Sequence, residues 1–161
     1  MTSNLATRSS RSQHHSVGGR IYSVGYEGLE LAGLVDHLKS TRVTTLVDVR
    51  LTPVSRKRGF SRKSLSAELE KAGITYIHEK ALGNPPDNRH SFRQGDGDGR
   101  RRMREMLDNG SGPALQRLVE RARDHRVAVL CVEREEGRCH RQVITEMAIE
   151  IDPNLEIWQI I

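Results

Sequence analysis

The chain has 161 residues, of which 35% are hydrophobic and 29% are charged, with a formal net charge of +5. This composition predicts a soluble globular protein and argues against a membrane span, because no apolar stretch is long enough to cross a bilayer. The N-terminus has no hydrophobic leader and the chain has only two cysteines, so we expect a cytoplasmic protein with reduced thiols that does not associate with membranes.

The positive charge is concentrated at the N-terminus. Residues 1–20 contain three arginines and no acidic residue, which leaves 23 basic and 21 acidic residues, or +2, for the remainder. We therefore predict a disordered basic tail over residues 1–20 and a single α/β domain over residues 21–161. The small net charge of the predicted domain does not by itself indicate a nucleic-acid-binding protein.

Short apolar runs alternate with segments of helical periodicity along the rest of the chain. Strands are predicted at 21–26, 44–49, 74–78, 127–132 and 155–161, and helices at 29–40, 61–72, 100–107, from 113 and at 138–149. Ser61 fits an N-cap with Phe60 and Leu65 as a hydrophobic staple, and Gly73 fits a helix C-terminus. Two prolines and several glycines predict a long loop at 82–99.

This alternation predicts the fold class. Strands that alternate with helices favour a mostly parallel sheet of about five strands with helices on both faces. We therefore expect a three-layer α/β/α fold of Rossmann-like, doubly wound type. Ligands of such sheets bind beyond the carboxyl ends of the strands, so the residues at those ends are the first candidates for a site.

Four candidate catalytic residues follow two of the predicted strands. Asp48 and Glu133 end strands, where they either transfer protons and orient arginines or form structural ion pairs. Cys139 and His140 lie in what the pattern predicts to be the first turn of a helix, where a thiol pKa is lowered, but Cys139 also fits a buried core thiol. Cys131, inside an apolar strand, is interpreted as core.

Five further residues are candidates for binding an anion. Arg50 begins a run of basic residues, ending at Lys63, that contains no acid and precedes a helix, which fits either a phosphate site or a solvated loop. Gly25 with Tyr26 would let a backbone approach a phosphate. The anion-binding set is Gly25, Tyr26, Arg50, Arg56 and Arg141.

No metal site is predicted. Cys139 and His140 are adjacent, the chain has no Cys-x-x-Cys motif, and His78 would have to come from another strand. The sequence assigns neither a cofactor nor an oligomeric state.

The motifs taken together resemble one bacterial family, catalogued as domain of unknown function four-eight-eight. The resemblance covers about residues 21–161 and rests on Ser23–Gly28, Leu46–Arg50 with Pro53, Ser55 and Arg56, Gly59–Ser61, Gly73–His78, Leu82–Asn84, Leu130–Glu133 and Cys139–Arg141. It implies an α/β domain and marks these motif positions. The family name carries no reaction, so the resemblance implies no activity.

Three functions remain open at this point. The first hypothesis is an α/β protein with an anion site at the carboxyl edge of the sheet. The anion would be a nucleotide or a nucleic-acid phosphate, and the sequence does not decide whether the site is catalytic. The second hypothesis is a non-catalytic nucleic-acid-binding module that uses the basic run, the cluster at 100–104 and the tail. The third is a thiol-dependent enzyme that uses Cys139 and His140.

Overall fold

The computed structural model describes residues 19–160 and shows a five-stranded parallel sheet. The strands are β1 (Arg20–Gly25), β2 (Thr45–Asp48), β3 (Thr75–His78), β4 (Arg126–Cys131) and β5 (Glu156–Ile160), in the order β3-β2-β4-β1-β5. Every neighbouring pair is parallel. The predicted tail lies outside the described residues up to residue 18, and β1 already begins at Arg20.

Six helices connect these strands. They are α1 (Leu31–Ser40), α2 (Arg62–Lys71), α3 (Pro86–Gln94), α4 (Gly97–Asp108), α5 (Gly112–Asp124) and α6 (Arg141–Ile151). Buried residues of α1 and α2 pack on one face of the sheet, and those of α3 to α6 pack on the other. The predicted three-layer α/β/α class is confirmed. Between residues 19 and 160, none of the helices combines the length and the apolar character that crossing a membrane requires.

The central strand β4 shows why the sheet needs helices on both faces. Val127 and Val129 belong to the core cluster beneath α3 to α6, whereas Ala128 and Leu130 belong to the cluster beneath α1 and α2. Successive side chains of a strand point to opposite faces, so a strand covered on both sides becomes apolar throughout. The continuous apolar run in the sequence is the result.

The predicted long loop at 82–99 was wrong, because most of it forms α3 and the start of α4. Pro86 occupies the first turn of α3, where a missing N–H costs nothing. Gly95, with φ of +71°, ends that helix in the left-handed conformation. Asp96 then caps α4 by accepting a hydrogen bond from the Asp98 amide at 3.1 Å. The prolines, glycines and aspartates mark helix boundaries here.

Ser61 precedes α2 as predicted, but its hydroxyl does not cap the helix. The Ser61 hydroxyl accepts from the Ser55 amide at 3.0 Å and donates to the Ser55 carbonyl at 3.2 Å, so it closes the preceding loop instead. Phe60 and Leu65 are both fully buried in the same core cluster, as a hydrophobic staple requires. Gly73 has a φ of +74° and follows α2, which confirms its predicted position.

Candidate functional site

A cleft of about 110 Å³ lies at the carboxyl ends of β2 and β4. Its walls come from the loop after β2, from the segment between β4 and α6, and from α3 with the residues before it. The lining residues are Arg50, Leu51, Thr52, Val54, Asn84, Arg89, Phe92, Arg93, Cys131, Val132, Glu133, Arg138, Cys139 and His140. The sequence placed a site at this edge of the sheet, and the cleft is found there.

The strand order explains the position of the cleft. β4 lies between β1 and β2 in the sheet. The chain leaves β1 and β2 toward α1 and α2 on one face, but leaves β4 toward α6 on the other face. Neighbouring strands whose connections depart to opposite faces leave a crevice between their carboxyl ends.

Two cysteines and a histidine meet on one wall of the cleft, and we call Cys131, Cys139 and His140 the thiol–histidine cluster. Cys131 is the last residue of β4, and the other two directly precede α6. The Nδ1 atom of His140 lies 3.6 Å from the Cys139 Sγ and 3.9 Å from the Cys131 Sγ. All three side chains are buried. The spatial grouping includes Cys131, which the sequence analysis assigned to the core.

The predicted helical turn at Cys139 and His140 was wrong. Residues 136–138 form a short 3-10 turn, Cys139 has an extended backbone with φ of −129°, and α6 begins only at Arg141. The extended residue turns the Cys139 thiol back toward the end of β4 rather than along the helix. This is why the Cys139 thiol reaches the histidine and the other cysteine.

His140 is held by a backbone carbonyl. Its Nε2 lies 2.9 Å from the Val49 carbonyl oxygen, which can only accept, so Nε2 carries the hydrogen. The Nδ1 atom faces the two sulfurs, toward which it directs an N–H in the charged ring and a lone pair in the neutral ring. Burial lowers the pKa of His140, but the charge and hydrogen bond of Cys139, together with the Val49 contact and the Glu133 charge, outweigh burial and raise the pKa above its ordinary value.

The two thiols differ in their surroundings. Burial raises the pKa of the Cys139 thiol, but the adjacent Cys131 thiol and the His140 charge outweigh burial and hold the pKa well below its ordinary value. The Nε of Arg141 also donates to the Cys139 Sγ at 3.4 Å. The nearby Cys139, together with burial, raises the pKa of Cys131. Cys139 therefore loses its proton more readily than Cys131 does.

Glu133 adds a carboxylate beside the thiol–histidine cluster. The Cys131 thiol donates to the Glu133 Oε2 at 3.4 Å. Burial raises the pKa of Glu133, and the negative charge of Cys139 raises it further. Glu133 therefore holds a proton more readily than an exposed carboxylate does, which is the property of a group that transfers protons.

Asp48 and Arg50 form a buried ion pair at the end of β2. The Arg50 Nε lies 2.9 Å from one Asp48 oxygen and the Arg50 Nη2 lies 2.6 Å from the other. The remaining guanidinium nitrogen donates to the Phe60 carbonyl at 2.7 Å and to the Tyr26 hydroxyl at 3.3 Å. Of the two interpretations left open for Asp48, the structure has the ion pair.

The other predicted anion-binding residues are also placed by the structure. Arg141 is buried and donates to the Ser23 hydroxyl at 3.0 Å and to the Glu133 carbonyl. A Cβ on Gly25 would lie 1.8 Å from that same carbonyl oxygen, so the open side of Gly25 is filled by the protein's own backbone. Tyr26 is buried and stacks on Phe60 at 4.4 Å between ring centroids. Arg56 is exposed and lies outside the cleft lining.

Two arginines of α3 were missed by the sequence analysis. Arg89 and Arg93 both line the cleft, and their spacing of four residues places them on the same face of the helix. Nearby, Arg102 pairs with Asp87 and Arg138 pairs with Glu135. Within residues 19–160, neither Arg89 nor Arg93 forms an ion pair. Helical spacing of 89 and 93 could have identified them, had the segment not been interpreted as a loop.

The thiol–histidine cluster is also a set of donors that a metal ion could use. Its two sulfurs and one ring nitrogen all lie within 4.8 Å of one another. Cys131 joins Cys139 and His140 as a donor, although sequence spacing alone offered only His78 as their partner. The His78 Nε2 instead lies 2.8 Å from the Arg50 carbonyl oxygen, at the end of β3.

Comparison with known proteins gives a family and no closer relative. No curated protein and no solved structure matches the chain. A family model with the description "Domain of unknown function DUF488" matches residues 30–148, a range that contains the whole cleft lining and the thiol–histidine cluster. The Ser23–Gly28 motif, one of those on which the resemblance rests, precedes the matched residues. The match covers most of the chain, so this protein belongs to the DUF488 family of domains of unknown function.

Proposed function

We propose that this protein is an enzyme that binds a small anionic substrate in the cleft and acts on it with the thiol–histidine cluster and Glu133. The observation that supports the proposal is that arginines without ion-pair partners and reactive side chains line one cleft. Arg89 and Arg93 lack ion-pair partners within the described residues, and they line the same cavity as the two thiols and the imidazole. Unpaired guanidinium groups next to reactive side chains are what recognition of an anionic substrate needs.

The anion site in this proposal differs from the one expected from the sequence. Arg50 and Arg141 are buried, and their donors are used by Asp48, Ser23 and backbone carbonyls. Freeing either guanidinium for a ligand would leave buried acceptors unpaired, which is costly. Arg89 and Arg93 carry no such cost, so the proposal assigns the anion to them.

The size of the cleft limits the substrate. A volume of about 110 Å³ is well below the roughly 300–1,000 Å³ of pockets that enclose drug-sized ligands. A phosphate or carboxylate group with a few attached atoms fits, whereas a whole nucleotide does not. We therefore propose that the cleft takes a small phosphate- or carboxylate-bearing molecule, or the charged end of a larger one such as a nucleotide.

Calorimetric titration with inorganic phosphate, sulfate and a nucleoside monophosphate at constant ionic strength tests this proposal. Each arginine–anion hydrogen bond contributes about 1.5–3 kcal/mol, so Arg89→Ala or Arg93→Ala should weaken binding about tenfold or more. Arg121→Ala, on α5 and outside the cleft lining, is the matched control and should leave the affinity unchanged. Unchanged affinity in the Arg89→Ala/Arg93→Ala protein, or no heat with any of the three anions, would refute the proposal.

A second candidate function, nucleic-acid binding, is favoured by the loop before α2 and the first turn of that helix. Four exposed basic side chains there have no ion-pair partner between residues 19 and 160, namely Arg56, Arg58, Arg62 and Lys63. Such a patch would bind a polyanion with an affinity that falls steeply with salt. Fluorescence anisotropy with a labelled oligonucleotide at low and moderate salt tests this candidate. Loss of binding in Arg56→Ala/Arg58→Ala, with retention in Arg89→Ala/Arg93→Ala, would support it, and no binding at low salt would remove it.

A further inference from the structure

We infer that Cys131, Cys139 and His140 bind one zinc-type divalent metal ion, with the remaining coordination position open to the cleft beside Glu133. This inference goes beyond the proposed function, because a metal ion can bind whether or not the arginines of α3 hold an anion.

The donor spacing is that of ligands around a common tetrahedral centre. Zinc–sulfur bonds of about 2.3 Å and zinc–nitrogen bonds of about 2.0–2.1 Å place a thiolate and an imidazole nitrogen about 3.6 Å apart at a tetrahedral ion. The observed distances from the His140 Nδ1 are 3.6 Å to the Cys139 Sγ and 3.9 Å to the Cys131 Sγ. Both sulfurs therefore lie at nearly the required separation from the histidine nitrogen, and the two sulfurs lie within 4.8 Å of each other.

The tautomer of His140 is set for coordination. A metal-binding histidine commonly donates its other ring N–H to a carboxylate or a backbone carbonyl, which fixes the ring and leaves the ligating nitrogen unprotonated. The Nε2 of His140 makes this contact with the Val49 carbonyl at 2.9 Å. The lone pair of Nδ1 is thereby directed at the space between the two sulfurs.

The charge of the donor set itself favours a divalent cation. Two thiolates and a neutral imidazole carry a charge of about −2 when they bind a metal, which a divalent ion cancels. Arg141 is buried and donates to the Cys139 Sγ at 3.4 Å, so the thiolate keeps a hydrogen bond outside the metal. Sulfur and nitrogen donors select zinc over magnesium or calcium, which prefer oxygen.

The fourth position faces the cleft. Within residues 19–160, the grouped donors are only the two cysteines and the histidine, so the protein leaves one position of a tetrahedron open. Structural zinc sites are closed by four protein ligands, whereas catalytic sites keep a position for water or substrate. Glu133 lies next to this position, with its Oε2 3.4 Å from the Cys131 Sγ. A carboxylate there can accept a proton from a metal-bound water.

Two other fates of the thiols are the outcomes that would overturn the inference. Cys139 could act as a free nucleophilic thiolate, as the thiol-enzyme hypothesis holds. Alternatively, the two cysteines could form a disulfide when an oxidant such as hydrogen peroxide is present. Each thiol then loses its proton and one electron, the sulfurs join, and the peroxide is reduced to two molecules of water. Neither fate retains a metal ion.

The test uses cobalt as a spectroscopic probe for zinc. Protein purified under reducing conditions without chelator is analysed for bound metal, stripped, and titrated with Co²⁺ and Zn²⁺. We expect one Co²⁺ to bind per chain, with intense d–d bands and a thiolate-to-cobalt charge-transfer band. Zn²⁺ should displace the Co²⁺ and should protect both thiols from alkylation. Cys131→Ser, Cys139→Ser and His140→Gln should each weaken binding about tenfold or more, because each removes a ligand.

His78→Gln is the matched control. His78 also has its Nε2 against a backbone carbonyl, at 2.8 Å, but it has no sulfur partner within the described residues. This variant should retain the cobalt spectrum. Any one of three results would overturn the inference. They are the absence of a charge-transfer band in the wild type, alkylation of Cys139 at the same rate with and without Zn²⁺, and an unchanged spectrum in Cys131→Ser. The Arg89→Ala/Arg93→Ala protein should bind Co²⁺ normally, which separates failure of the metal site from failure of the anion site.

Discussion

Arg50 holds Asp48 through two parallel hydrogen bonds, at 2.9 Å and 2.6 Å, in a place where neither side chain is more than 3% exposed. The Arg50 guanidinium also reaches the carbonyl of Phe60, so the pair ties the end of β2 to the residues that precede α2. The loop after β2 lines the cleft, and the Val49 carbonyl in that loop accepts the hydrogen bond from His140. The ion pair therefore holds in place the backbone that forms one wall of the cleft.

Arg50→Ala should strongly destabilise the protein, because it leaves the Asp48 carboxylate buried without its cation. Breaking a buried ion pair by removing one partner costs about 3–5 kcal/mol. Urea denaturation gives the free energy of unfolding. Arg50→Lys, which keeps the charge but not the two-point geometry, should lie between the wild type and Arg50→Ala.

An exposed ion pair serves as the control for Arg50. Arg101 pairs with Asp98 at 2.9 Å, and both side chains are more than two-thirds exposed. Exposed pairs contribute about 0–1 kcal/mol, so Arg101→Ala should scarcely change the free energy of unfolding. Equal costs for Arg50→Ala and Arg101→Ala would contradict the structural role of the buried pair.

Tyr76 should make the protein less stable at alkaline pH. Its hydroxyl donates to the Asp48 Oδ2 at 2.6 Å, and burial together with the Asp48 charge raises its pKa, against the opposing charges of Arg50 and Arg62. A tyrosine whose pKa is raised in the folded state stabilises fully below the unfolded pKa of about 10, and this contribution is lost as the pH rises further.

Tyr76→Phe isolates this effect, because it removes the titrating hydroxyl and keeps the ring. The free energy of unfolding, measured in urea at pH 7 and on either side of pH 10, should fall less with pH in Tyr76→Phe than in the wild type. At pH 7 the variant should lose about 1 kcal/mol, since Asp48 keeps its bonds to Arg50. Parallel pH profiles for the two proteins would rule out the assigned role of the hydroxyl.

The fold was largely predictable because the sheet is covered on both faces. Apolar runs such as Val127 to Leu130 stand out in the sequence when every side chain of a strand is buried. The segment 82–99 was not predictable from the same reasoning, because Gly95 and Asp96 act there as a helix end and a helix cap. Composition alone does not distinguish such boundary residues from a loop.

The candidate site was predictable in position but not in the roles of its charged residues. Strand ends and topology indicated the edge of the sheet where Glu133, Cys139 and His140 meet. Whether an arginine is free depends on its partners in space, and Arg50 and Arg141 find theirs inside the protein. Cys131 was expected in the core and is buried, but its thiol also lines the cleft, because β4 ends there.

Asn88 should control how α3 presents its arginines. The buried Asn88 amide donates to the Asn84 side-chain oxygen at 2.9 Å and to the Gly99 carbonyl at 3.0 Å, which ties α3 to the first turn of α4. Asn88→Ala leaves both acceptors unpaired, at a cost of about 1–3 kcal/mol. We expect lower stability in urea and weaker phosphate binding in calorimetry, because Arg89 and Arg93 follow Asn88 on the same helix.

Asn109→Ala provides the comparison for Asn88→Ala. The Asn109 amide donates to the Glu105 carbonyl at 2.6 Å, but this contact is exposed, so water can replace it. Asn109→Ala should change the free energy of unfolding by less than Asn88→Ala and should leave phosphate affinity unaltered. Loss of phosphate affinity in both variants would show that the effect of Asn88 is not local to α3.

Gly25→Ala should disrupt the segment that carries Glu133, because a Cβ at this position would lie 1.8 Å from the Glu133 carbonyl oxygen and 2.8 Å from the Arg134 Cα. Backbone atoms cannot rotate away as a side chain can, so the segment after β4 must move. The same carbonyl accepts from Arg141, which in turn donates to the Cys139 Sγ. We expect a loss of about 1–3 kcal/mol in urea denaturation, as for other overpacked sites, and an altered cobalt spectrum.

Gly33→Ala, within α1 and with no atom within 4 Å of its Cβ, should instead stabilise the protein by about 0.5–1 kcal/mol. A Gly25→Ala protein as stable as Gly33→Ala would mean that the segment carrying Glu133 is not packed against β1 as the structure has it.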